Sequence, residues 1–106
     1  MAKATPLTFE QVSEQLAYDP ETGEITWRIS KKGQSGPGTI AGCVSSALGY
    51  RLIGVLRQRL YGHRIAWVLT HRRWPDHQID HINGDRADNR LCNLRELTHA
   101  DNQQNR

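Results

Sequence analysis

The chain has 106 residues, 37% of them hydrophobic, with a formal net charge of +3 and a mean hydropathy of −0.69. This length suits one compact domain, and its apolar runs are far shorter than the roughly 20 residues that span a bilayer. The N-terminal sequence MAKATPLTFE lacks the apolar stretch of a secretory signal, so we expect a cytoplasmic protein.

The first elements in chain order are a helix and a hairpin. Thr8 and Gln11 form a capping-box pattern, and apolar residues then recur at helical spacing, which predicts a helix over 8–17. Pro20 and Gly23 predict the turn of a hairpin, because apolar residues alternate in the segment that follows them.

A loop, a second hairpin and a second helix are predicted next. The segment KKGQSGPG, residues 31–38, has the composition of a loop. Alternating apolar residues after it predict a hairpin whose turn lies at Arg57 and Gln58. The apolar segment HRIAWVLTH, residues 63–71, predicts a short helix that ends before the following proline.

The two cysteines, Cys43 and Cys92, are far apart in the chain and form no CxxC pair. We therefore expect no disulfide, and we expect two small buried side chains.

Charge is distributed unevenly along the chain. Residues 25–75 hold nine basic and no acidic side chains, whereas residues 76–106 hold four arginines and six acids. A basic region beside a segment rich in oxygen ligands indicates a polyanion, most simply nucleic acid, although a solvated basic face without a partner has the same composition. The residues predicted to contact the nucleic-acid backbone are Arg28, Lys31, Lys32, Arg51, Arg57, Arg59, Arg64, Arg72, Arg73, Arg90 and Arg95.

The C-terminal part contains HQIDHINGDRADNRLCNL, a stretch dense in histidine, aspartate and asparagine. Its apolar pattern predicts strands over 78–82 and 91–97, joined by a loop with an Asn-Gly turn. Thr98 is a good N-cap, so we expect a helix over 98–105. In this strand, loop, strand and helix unit the end of the first strand meets the first turn of the helix.

Three side chains are expected to converge there: Asp80, His81 and Asn102. Carboxylate and amide oxygens are hard ligands that suit Mg²⁺ or Mn²⁺, and two protein ligands leave room for water and phosphate oxygens. An imidazole of ordinary pKa, about 6.5, is largely neutral at pH 7.5 and accepts a proton from water.

The pair Asp80-His81 with Asn93 and Asn102, at separations of 12 residues (81 to 93) and 22 residues (80 to 102), resembles the motif of HNH nucleases. The segment from Tyr61 onward resembles phage-type HNH endonucleases throughout. YDPETGEITWR and AGCVSSALGY resemble the N-terminal region of those proteins.

The resemblance implies an α+β fold in which an N-terminal helix and β-hairpins precede a C-terminal ββα-metal motif. It implies one HNH nuclease domain over 1–106, in which residues 1–75 are the basic DNA-binding part and residues 76–106 are the catalytic motif. The implied activity is hydrolysis of DNA phosphodiesters with one divalent ion, Mg²⁺ or Mn²⁺, leaving 3′-hydroxyl and 5′-phosphate ends. A monomer making nicks and a homodimer cutting both strands are equally compatible with one ion per motif.

The resemblance also assigns roles. His81 corresponds to the general base, and Asp80 and Asn102 correspond to the metal ligands. Asn93 corresponds to the central asparagine, which braces the loop and orients the histidine. Other members have histidine where Asn102 stands, so His99 and Asn105 are alternative ligands.

Other functions fit parts of the same sequence. A DNA-binding module with a catalytically silent motif would share the positive charge. A structural zinc site would use His77 and His81 with the two cysteines, and a calcium site would use Asp85 and Asp88. For the remaining histidines, which are His63, His71 and His99, surface or capping roles are expected.

Overall fold

The computed structural model describes residues 7–29 and 37–97, which form two α-helices, one 3-10 turn and three small antiparallel sheets. The helices are α1 (Phe9–Gln15) and α2 (Gly62–His71), and the 3-10 turn is Leu91–Asn93. The strands are β1 (Leu16–Tyr18), β2 (Ile25–Trp27), β3 (Cys43–Val44), β4 (Arg51–Val55), β5 (Gln58–Tyr61), β6 (Gln78–His81) and β7 (Leu94–Leu97).

This mixture of helices and sheets agrees with the expected α+β class. The predicted helix over 98–105 lies outside the described residues, as do Lys31 and Lys32 of the predicted loop. In the described part of the chain, neither helix is long and apolar enough to cross a membrane.

Helix α1 begins with the predicted capping box. Gln11 donates its backbone N–H to the Thr8 hydroxyl over 3.1 Å, and Thr8 donates its own to the Gln11 side chain over 2.9 Å. The helix is shorter than predicted because Leu16, which is 1% exposed, leaves it and pairs with Trp27 in the β1–β2 hairpin. Burial in a sheet thus outweighs the helical spacing of the apolar residues.

The second hairpin is also present, formed by β4 and β5 with β3 on the other side of β4. Its turn lies one residue before the predicted one, at Leu56 and Arg57, which both have positive φ. Two consecutive residues of this kind match the right-handed twist of a two-residue hairpin.

Helix α2 connects the two apolar clusters of the described structure. Ile65 and Val68 are fully buried against α1 and the first two sheets. Ala66 and Trp67 face the other way and pack against Ile79 of β6 and against β7. The β6–β7 ribbon is therefore anchored on a helix that is itself held by the N-terminal core.

The expectation that both cysteines are buried is wrong, because Cys43 and Cys92 are exposed free thiols. Cys43 lies in a two-residue strand at a sheet edge and Cys92 in the 3-10 turn, where neither side chain reaches the apolar clusters.

Candidate active site

The site lies where β6 ends. Strands β6 and β7 pair antiparallel, with Asp80 opposite Arg95 and His81 opposite Leu94. The chain turns immediately after His81, since the backbone N–H of Gly84 donates to the His81 carbonyl over 2.8 Å. The Asn-Gly turn signal in the sequence thus ends the strand at the histidine.

The loop that follows is held by Asn93, which is only 4% exposed. Its amide nitrogen donates to the Asn83 side chain over 3.0 Å and to the Asp88 carbonyl over 2.9 Å. Its amide oxygen accepts the backbone N–H of Asn83 over 2.9 Å. One buried amide therefore joins both ends of the loop, because it supplies two donors and an acceptor at once.

A second interaction within the loop is the ion pair of Asp88 and Arg90. The guanidinium donates two hydrogen bonds to the carboxylate, over 2.8 Å and 2.7 Å. These hydrogen bonds hold the pKa of Asp88 far below its ordinary value. The charge of Arg90 is thus engaged inside the loop, whereas the sequence suggested a phosphate contact.

The imidazole of His81 is 7% exposed, and its Nε2 lies 2.9 Å from the amide oxygen of Asn89. The ring of His63 meets it edge-on with 5.0 Å between ring centroids, and the ring of Tyr50 lies 6.0 Å away. The hydrogen bonds of the Asn93 side chain go to the loop, whereas the side chain that hydrogen-bonds the His81 imidazole is that of Asn89.

Asp80 and His81 line the same cavity, of about 550 Å³. Burial alternates along β6, because consecutive side chains of a strand lie on opposite faces. The cavity lies at the end of the strand and therefore reaches both residues. The Asp80 side chain is 36% exposed and accepts a hydrogen bond from the Arg95 guanidinium over 3.1 Å. Arg86 also lines the cavity, which therefore carries two guanidinium groups beside one carboxylate.

Sequence reasoning missed an aromatic cluster beside the histidine. His63 is 8% exposed, so its expected surface or capping role is wrong. Its ring stacks on Tyr61 with 5.4 Å between centroids and lies 5.2 Å from Tyr50. These three rings and Arg64 line a further cavity of about 260 Å³ next to the first one. No local sequence pattern marks His63, because its burial comes from the packing of the start of α2 beside His81.

The other predicted DNA-contacting arginines are in four kinds of surroundings. Arg28 and Arg51 donate to backbone carbonyls of the chain itself, and Arg73 pairs with Asp76 and Glu96. Two guanidinium groups lie over aromatic rings, those of Arg64 over Trp74 and Arg72 over Phe9. The remaining two, Arg57 and Arg59, are exposed at the β4–β5 hairpin.

Asp80 is the one predicted metal ligand within the described residues. Asn102, His99 and Asn105 lie outside them. Residues 7–29 and 37–97 contain no group of three or more histidine, cysteine or acidic side chains placed to hold a metal ion. The zinc alternative is therefore wrong, since all four of its residues are described. In the loop, Asp85 accepts the backbone N–H of Ala87 and Asp88 accepts from Arg90.

The buried His63 predicts a pH dependence of stability. Burial, then the nearby His81 and Arg64, lower its pKa from 6.5 to about 4. Between about pH 4 and pH 6.5, the unfolded chain therefore binds a proton at this histidine that the folded chain does not. The free energy of unfolding should fall by about 1 to 3 kcal/mol as the pH drops across the interval. Urea denaturation of the wild type and His63→Gln measures this, and the variant should lack that part of the slope.

The exposed His71 provides the control for this measurement, and His71→Gln should keep the wild-type slope. If His63→Gln also kept it, His63 would not be held neutral in the fold.

Comparison with known families gives a match for a C-terminal segment of the chain. Residues 60–104 match the family described as HNH endonuclease. Searches of curated proteins and of solved structures gave no match. The matched segment contains the cavity-lining pair Asp80 and His81, the brace Asn93 and the whole β6–β7 ribbon. Residues 60–104 are thus similar to the HNH endonuclease family.

Proposed function

We propose that this chain is an endonuclease that hydrolyses DNA phosphodiester bonds with one divalent cation. The observation that carries the proposal is the cavity of about 550 Å³ in which Asp80 and His81 meet, inside the segment that matches HNH endonucleases. A hard anionic ligand can hold a divalent cation and an imidazole can serve as general base, and both line this cavity.

In this proposal His81 is the general base. Its ring is fixed on one edge by Asn89, and the residue lines the cavity. A water molecule beside the ring would give up its proton to the imidazole as its oxygen attacks phosphorus. Positioned proton transfer of this kind is typically worth about 10² to 10⁴ in rate.

Asp80 and Asn102 would hold the cation. The Asp80 carboxylate suits this role because its oxygens are hard donors at the wall of an open cavity. When bound, the cation would polarise the scissile phosphate and stabilise the 3′ oxygen that departs. Arg95 now donates to Asp80, and its guanidinium is well placed to bind a phosphate oxygen once DNA enters.

The β4–β5 hairpin is proposed to grip the DNA backbone. Arg57 and Arg59 are exposed there and form no ion pair with a described residue. Arginines without a carboxylate partner keep their full charge for phosphates, whereas Arg73 shares its charge with two acids.

The first test is cleavage of supercoiled plasmid with Mg²⁺ or Mn²⁺. We expect the wild type to nick or linearise the plasmid, EDTA to stop the reaction, and His81→Ala to lower the rate about 10²- to 10⁴-fold because the general base is lost. DNA binding by His81→Ala should remain, and circular dichroism should show that the variant is folded.

His77→Ala is the matched control, because His77 is an exposed histidine of the same segment. It should cleave at the wild-type rate. A wild type that binds DNA but leaves the plasmid intact with every divalent metal would instead support the non-catalytic DNA-binding module.

The second test measures how DNA affinity depends on salt. Each phosphate contact contributes about −0.9 to the slope of log affinity against log salt. The double variant Arg57→Ala and Arg59→Ala should therefore flatten the slope by about 2. Arg73→Ala should leave it nearly unchanged. Fluorescence anisotropy with one duplex at several salt concentrations measures all three proteins, and equal slopes would exclude the hairpin grip.

A further inference from the structure

Asn89 is among the most buried polar residues of the described structure. It is 2% exposed, and its side-chain oxygen lies 2.9 Å from Nε2 of His81. A polar side chain is rarely buried to this extent without a partner that uses it. The imidazole is the partner of the Asn89 side-chain oxygen, whereas the side-chain nitrogen is buried without a hydrogen-bond partner among the described residues.

This hydrogen bond selects one form of the neutral histidine. In this orientation the Asn89 amide turns its oxygen to the ring, and because an amide oxygen only accepts, the hydrogen bond places the hydrogen on Nε2 of His81 and the lone pair on Nδ1. Nδ1 is then the nitrogen that takes a proton from water. A histidine whose two nitrogens exchanged roles would present an N–H where the base is needed.

Asn89 is in turn held by the N-terminal β1–β2 hairpin. The Tyr18 hydroxyl donates to the Asn89 carbonyl over 2.6 Å, across 71 residues of sequence. Burial raises the pKa of Tyr18, which keeps the phenol protonated and able to donate. The backbone N–H of Leu91 donates to the Pro20 carbonyl over 2.9 Å. Tyr18 of β1 and Pro20 of the hairpin turn therefore form hydrogen bonds with the residues on either side of Arg90.

Two glycines let the chain approach Asn89 closely. A Cβ at Gly23 would lie 2.6 Å from the backbone nitrogen of Arg90 and 2.7 Å from the Asn89 carbonyl carbon. A Cβ at Gly62, the first residue of α2, would lie 2.9 Å from the Asn89 amide nitrogen. Asn89 is thus enclosed by the hairpin turn on one side and by the start of α2 on the other.

We propose that Asn89 is a positioning residue that sets the tautomer and orientation of His81, and that the β1–β2 hairpin holds Asn89 in place. The proposal rests on the proposed function, in which His81 is the base. It extends the machinery beyond the family-matched segment, because residues 18–23 lie far outside residues 60–104.

The direct test is nitrogen NMR of the His81 imidazole, recorded on the folded protein above pH 7 without DNA or metal. The wild type should show a protonated Nε2 and a bare Nδ1. Asn89→Asp keeps an acceptor and should keep this pattern, whereas Asn89→Leu removes the acceptor and should give a mixture of tautomers. A wild type with its proton on Nδ1, or an unchanged pattern in Asn89→Leu, would overturn the proposal.

Kinetics give the second readout. Asn89→Leu should lower kcat about 10- to 100-fold with KM changed less than about twofold, because substrate contacts are kept and the base is misplaced. Asn89→Asp should recover most of the loss. Tyr18→Phe should lower kcat by a smaller factor, about 3- to 10-fold, and shift the NMR pattern in the direction of Asn89→Leu.

Thr8→Ala is the control for a general loss of stability, because it removes the N-cap of α1 and none of the contacts around His81. It should leave kcat and the imidazole spectrum unchanged. Equal loss of kcat in Thr8→Ala and Asn89→Leu would mean that stability alone is measured. The NMR pattern tests the positioning role even if the wild type cleaves no DNA, which separates this proposal from the proposed function.

Discussion

Two neighbours in a strand point to opposite faces, and the proposed site uses both Asp80 and His81. The structure meets this constraint by ending β6 at His81, so that the turn beyond it opens a cavity reaching both residues. Each is then held by a different partner. Arg95 binds the carboxylate from the opposite strand, and Asn89 binds the imidazole from the loop.

The remaining parts of the described structure support this strand end. Helix α2 buries one side in the N-terminal core and packs its other side against the ribbon. Tyr18 packs against both apolar clusters and also donates to the Asn89 carbonyl. Apolar packing thus fixes the ribbon, and a few buried hydrogen bonds fix the side chains on it. The buried hydrogen bonds determine the geometry of the site, since hydrogen bonds are directional and apolar burial is not.

The sequence predicted the elements that depend on local patterns. The capping box of α1, the two hairpins, α2 and the turn at Asn83 all follow from neighbours a few residues apart, and all are present. Asp80 and His81 were predicted as site residues by residue type and by resemblance, and both line one cavity, while their roles stay a prediction. Element ends were predicted less well. Leu16 leaves α1 to pair with a distant strand, and the strand predicted over 91–97 begins only at Leu94, because Leu91–Asn93 form a 3-10 turn.

The sequence did not predict the contacts that depend on distant parts of the chain. The hydrogen bond between Tyr18 and Asn89 joins residues that are 71 positions apart, and no periodicity in the sequence marks either of them. His63 looked like a surface residue because a lone histidine at a helix start has no local pattern, yet it is buried against His81. Partners of this kind depend on tertiary packing, which local patterns do not encode.

The central claim is that the cavity between Asp80 and His81 is where a divalent cation and a DNA phosphate meet. Anomalous diffraction from crystals of His81→Ala with Mn²⁺ and a short duplex tests it most directly. The account predicts one strong anomalous peak within about 2.5 Å of an Asp80 carboxylate oxygen, with a phosphate oxygen and Asn102 among the other ligands. A duplex bound elsewhere on the surface, with Asp80 still paired to Arg95 and no peak in the cavity, would contradict it.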